Sequence, residues 1–134
     1  MPVSYQIDHA LSRIVVTLTD PFDIAEVEVY NRTLFADPEF RTGYDLLADM
    51  RIQRYNLSAG LLRGQAQRAG QLKDRFSGRQ ALVCHENRLL YGMSRLYEVF
   101  SKPFGLDVRV FTRIAKAEEW LDECRRRAEE ADPV

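Results

Sequence analysis

Residues 79–111 read RQALVCHENRLLYGMSRLYEVFSKPFGLDVRVF, and this stretch decides the fold. Residues 79–84 form a short apolar run of the kind that makes a buried strand. Asn87 or Glu86 can then open a helix. Its apolar stripe is Leu89, Leu90, Met93, Leu96, Tyr97 and Phe100, at helical spacing. Lys102-Pro103-Phe104-Gly105 ends that helix, since proline and glycine punctuate regular structure. Asp107–Phe111, D-V-R-V-F, is a second strand. A strand, a helix and a strand in that order make a right-handed crossover between parallel strands.

The same alternation extends towards the N-terminus. Residues 44–50 contain D-L-L-A-D and read as another buried strand. Ser58 can cap the helix that follows, with Leu62, Ala66, Ala69 and Phe76 on one face. Gly60, Gly64 and Gly70 weaken that helix by roughly 1 kcal/mol each relative to alanine, which predicts close packing or local mobility. Residues 23–26, D-I-A-E, read as a capping box for an earlier helix carrying Ile24, Val27, Leu34 and Phe35. Residues 4–8 and the β-branched run Arg13–Thr19 are joined by a short link, which predicts an antiparallel hairpin. Pro21 stops that second strand.

Beyond Phe111, Thr112 is placed to cap a last helix whose inner face is Ile114, Ala117, Trp120, Leu121 and Cys124. The predicted order is β-β-α-β-α-β-α-β-α. It describes an α/β domain with a mainly parallel five-stranded sheet, an antiparallel N-terminal hairpin edge and four helices. With no linker or repeat, residues 1–126 form one domain, and the charged residues 127–134 are expected to fray.

Composition bounds the function. A chain of 134 residues with 46% hydrophobic and 29% charged side chains can bury a core without staples. Two cysteines, Cys84 and Cys124, no basic-then-apolar leader and no long apolar run predict a cytoplasmic protein without a membrane span. Charge is unevenly spread. Residues 1–50 carry three basic and nine acidic side chains, whereas residues 51–79 carry seven basic and one acidic. The basic block can meet an anionic partner or lie on a solvated helix face. A pI near 6.1 argues against a nucleic-acid partner.

Three segments carry a family resemblance: FADPEFRTGYDLLADMR at 35–51, LLYGMSRLYEVF at 89–100 and VRVFTRIAKAEEWL at 108–121. Together with the element order, they resemble the STAS domain, the fold of anti-sigma-factor antagonists, and in particular its SpoIIAA-like relatives. The resemblance implies a non-catalytic regulatory or protein-interaction domain. Antagonist STAS domains have a phosphorylatable serine in an Asp-Ser-Ser-Gly-Leu motif after the central strand. This chain reads Leu57-Ser58-Ala59-Gly60-Leu61, so Ser58, Gly60 and Leu61 match, while Leu57 replaces the aspartate. Ser58 is thereby the candidate regulatory phosphosite. SpoIIAA-like domains also resemble the lipid-binding SEC14 fold, which implies an alternative role as carrier of a small apolar ligand or lipid, in a pocket between sheet and helices.

The residues themselves name two candidate surfaces. Arg51, Arg54, Tyr55, Gly60, Leu61 and Arg63 form the expected protein-interaction surface. Asp49, His85, Asn87 and Thr112 lie at the carboxyl ends of parallel strands, where ligands and anions gather in open α/β sheets. Cys84 and His85 are adjacent on a strand and point to opposite faces, so they are poorly placed to share a proton. Asp49 is expected in a loop or as a cap, and His9 and His85 as isolated histidines. No catalytic group, metal or cofactor is expected, and a homodimer is compatible with the sequence.

Overall fold

The computed structural model describes residues 2–131. Five strands form one sheet in the order β1-β2-β3-β4-β5: Val3–Asp8, Arg13–Thr19, Tyr44–Arg51, Phe76–Val83 and Asp107–Phe111. Strands β1 and β2 are antiparallel, and the remaining pairs are parallel. Four helices complete the α/β architecture: α1 (Glu26–Ala36), α2 (Ala59–Gln71), α3 (Arg88–Ser101) and α4 (Ile114–Ala131). The element order is the one the alternating patterns predict.

Each crossover adds its strand on the same side of the one before. Right-handed crossovers stepping in one direction put their helices on one face. Helices α1, α2 and α3 therefore share a core with Ile14, Val16, Leu18, Ala48, Met50 and Leu82. The opposite face is covered by α4, whose Ala117 and Leu121 pack on Leu47, Ala81 and Val83. Period-two alternation along β3 separates the two cores: Ala48 and Met50 face one, Leu47 the other.

Helix α4 is also fastened by charge. The carboxylate of Asp45, fully buried on β3, accepts hydrogen bonds from the Ser77 hydroxyl at 2.6 Å and Arg79 Nε at 2.9 Å. Its second oxygen accepts from Arg125 Nε on α4 at 3.1 Å. Arg125 further donates to the carbonyls of Ser12 and Gly43. Arg13, only 2% exposed on β2, reaches Asp122 on the same helix at 2.7 Å.

Several local readings are corrected. The capping box at Asp23 and Glu26 does not form. Helix α1 begins at Glu26 after Ala25, and the Asp23 carboxylate accepts instead from the Ala25 N–H and the Asn56 amide. Thr112 does not cap α4; the Arg113 carbonyl accepts the first N–H groups, from Lys116 and Ala117. Helix α4 runs on through residues 127–131. Arg126 and Arg127 pair with Glu123, and Arg126 also with Glu130, one turn away. The last part of the expected tail, 132–134, lies outside the described residues. Leu89 and Ile114 leave their helical stripes and are exposed, Leu89 at 70%. Each lies in the first turn of its helix, beyond the edge of the apolar face.

The glycines of α2 divide into two kinds. Around Gly60 and Gly64 a methyl group would meet no closer atom than the Arg68 guanidinium at 4.0 Å. At Gly70 it would sit 2.6 Å from Phe104 Cβ, so only glycine lets α2 approach the turn after α3. Gly64→Ala is accordingly expected to stabilise the protein by about 0.5–1 kcal/mol, and Gly70→Ala to destabilise it by about 1–3 kcal/mol, both read from urea unfolding. Asp45→Ala removes the buried carboxylate from two half-buried arginines, and the same assay should show a loss of about 3 kcal/mol.

Candidate ligand cavity and strand-end groove

A cavity of about 130 Å³ lies between the sheet and helices α1 to α3. It arises from how the helices lean. Helix α1 rests on the sheet edge: Tyr30 packs edge-on against Tyr5 of β1 at 5.9 Å, and the Tyr5 hydroxyl donates to Asp37 beyond the helix end. Helix α2 packs instead on α3, with Arg63 stacked over Phe100 at 4.7 Å. An open groove separates the two helices. Ile24, Val27 and Gln65 border both groove and cavity, so the groove lies directly over it.

The cavity walls are Val16, Leu18, Ala48, Met50 and Leu82 from the sheet, with Val27, Tyr30, Leu62, Met93 and Tyr97 from the helices. Among the described residues no aspartate, glutamate, lysine, arginine or histidine lines it. Its polar groups are few: Tyr30, Gln65, Gln80, Ser94 and Tyr97. The Tyr97 hydroxyl donates to Gln80 Oε1 at 3.1 Å. The Tyr30 hydroxyl is buried without a hydrogen-bond partner among the described residues. Burial pushes the Tyr30 ionisation well above its ordinary value, and that of Tyr97 up to about 12, so both phenols keep their protons. The sequence hid this site because its lining reads as ordinary core.

The second region is an open groove of about 780 Å³ at the carboxyl ends of β3 and β4. The structure brings the predicted Asp49, His85 and Asn87 together here. Asp49 is corrected: it does not sit in a loop but lies within β3, 5% exposed. His85 Nε2 donates to Asp49 Oδ1 at 2.6 Å, and Arg51 Nε donates to the other oxygen at 2.9 Å. His85 is therefore not isolated, and it holds a left-handed backbone with φ of +59°. His9 is not isolated either; its ring nitrogens contact the Tyr44 hydroxyl and the Glu39 carboxylate. Asn87 caps α3, accepting from the Leu90 N–H, and binds the Ile52 carbonyl. Thr112 stands across an adjoining hollow with His85 and Asn87. Cys84 turns the other way from His85, into the core, and burial raises its thiol pKa.

The expected interaction surface is divided. Arg51 is tied to Asp49, Arg63 lies over Phe100, and Tyr55 is half-buried in a bridge with Phe22. The basic block is also dispersed: Arg75 stacks on Phe35 and Arg79 is held by Asp45. Arg51, Arg54, Gly60, Leu61 and Arg63 are all exposed.

Ser58 does cap α2, its hydroxyl accepting from the Leu61 N–H at 3.3 Å. No helix among the described residues is long and apolar enough to cross a membrane. No family model, curated protein or solved structure matches the chain.

Loss of the Ser58 cap sets a measurable cost. Ser58→Ala should lower stability by about 1 kcal/mol in urea unfolding, while Ser58→Asp retains most of it.

Proposed function

We propose that this protein is a receptor or carrier for a small apolar molecule, held between the sheet and helices α1 to α3. The single observation that carries the reading is the apolar cavity beneath the groove between α1 and α2. An apolar molecule filling this space of about 130 Å³ takes apolar wall out of water, and that burial favours its binding. Comparable cavities, of about 150 Å³, admit benzene, so the enclosed part of the ligand is ring-sized. The groove between α1 and α2 gives a path for entry and room for a longer tail.

A regulatory reading has its own support in Ser58. The residue is exposed at the first turn of α2, and Leu62 and Gln65 of that helix line the cavity. A phosphate there would gain from the N-terminal N–H groups. Occupancy of the cavity and modification of Ser58 would then act on one element. Intact-mass analysis of protein purified from its own cells tests this reading; the absence of phosphate on Ser58 under every growth condition would remove it.

Toluene titrated into the purified protein should raise its melting temperature by a few degrees at saturation. Native mass spectrometry should show a bound apolar molecule in protein that has not been stripped. Ala48→Leu, which fills the cavity from β3, should stabilise the free protein by about 1–2 kcal/mol and abolish the toluene response. A melting temperature indifferent to toluene in the parent protein would sink the carrier reading.

A further inference from the structure

We infer that the cavity selects a neutral, ring-sized molecule bearing a hydrogen-bond acceptor, which the Tyr30 hydroxyl binds. This inference rests on the reading of the cavity as a ligand site and names the chemistry of its occupant. The first argument is charge. The walls carry no ionisable side chain other than tyrosine. A carboxylate or phosphate drawn inside would lose its water and find no cation, a strongly unfavourable exchange. Acids and phospholipid headgroups are thereby excluded from the interior, although an apolar ring is not.

The second argument is the state of the polar groups. Tyr30 is 9% exposed, it lines the cavity, and its hydroxyl has no partner among the described residues. Buried hydroxyls in native proteins are almost always hydrogen-bonded, so an unsatisfied one on a residue that lines this cavity, and also a smaller hollow with Val3 and Tyr5, points to a missing occupant. The only other side chains paired here, Tyr97 and Gln80, meet through the Gln80 carbonyl oxygen. That leaves the Gln80 amide N–H groups as further donors. The phenol keeps its proton because burial disfavours the phenolate. The Tyr30 hydroxyl and the Gln80 amide can therefore both donate, and an acceptor such as a ketone, ester or ether oxygen complements them. A site built to bond one polar atom discriminates strongly against an isostere that lacks it.

Three probes of nearly equal size separate these demands: acetophenone, its hydrocarbon isostere α-methylstyrene, and benzoate. Isothermal titration of each into the full-length protein should give acetophenone about a tenfold advantage over α-methylstyrene, with no binding of benzoate. Tyr30→Phe should shrink that advantage to less than twofold and leave α-methylstyrene affinity unchanged or better. The variant should melt no lower than the parent, because it removes an oxygen without a partner. Equal affinity for ketone and hydrocarbon in the parent, or an advantage that survives Tyr30→Phe, overturns the inference while leaving a ligand cavity in place. So does a destabilised Tyr30→Phe protein, which would mean the hydroxyl is already satisfied. Benzoate binding as well as acetophenone overturns the neutrality requirement. Failure of all three probes, the hydrocarbon included, overturns the cavity reading with it.

Discussion

A parallel sheet cannot leave either face in water, and that constraint organises this molecule. Three right-handed crossovers run in one direction across β2 to β5, so all three of their helices fall on one side. The other side would be bare without α4. That helix is a single layer over the central strands, and its apolar contribution rests on few residues, chiefly Ala117, Trp120 and Leu121. Ion pairs add what the apolar contacts lack. Asp45, Arg79 and Arg125 lock the far half of α4 to the interior strands β3 and β4, and Arg13 with Asp122 adds a second pin. A buried pair of this kind contributes less net stability than its breakage costs. What it secures is the position and direction of the helix.

The crowded face has the opposite problem. Helices α1, α2 and α3 must cover a twisted sheet, and they do not do so evenly. The glycine at position 70 lets α2 close onto the turn at Phe104, drawing it towards α3. Tyr5 and Asp37 hold α1 at the outer edge on β1. The cavity is the space left between these two commitments. Its donors and its lack of charge follow from what happens to point inward there, namely Tyr30, Gln80 and Tyr97 among aliphatic walls. Ser58 starts the helix that forms one side of this space, so ligand and modification would converge on α2.

The strand ends present a different chemistry. Asp49 is buried, its carboxylate is shared by His85 and Arg51, and His85 adopts a left-handed conformation to reach it. Non-glycine residues in that region carry backbone strain, which the short hydrogen bond to Asp49 offsets. The pair organises the turn from β4 into α3, where Asn87 then caps the helix and ties it to Ile52. The groove beside it is open and mixed in charge, in contrast to the apolar space beneath α1 to α3, with which it shares Met50 and Ile52.

Much of the architecture was legible in the residues alone. Period-two and period-3.6 patterns gave the strands and helices in order, although Phe76, read as part of the α2 face, starts β4; the caps at Ser58 and Asn87 were readable because a capping side chain acts on its own first turn. Local signals also misled. Asp23 and Glu26 carry a capping pattern, yet the Asp23 carboxylate is drawn to Asn56, 33 residues away. The pairing of Asp49 with His85, 36 residues apart, left no trace in spacing. Neither did the union of Asp45 with Arg125, nor the gap beneath α1 and α2. Sequence by itself determined which segments become strands and helices and which way their apolar faces turn, because those preferences act within a few residues. Tertiary structure alone decided which charges meet and where the core fails to close, because both depend on how whole elements lean against one another.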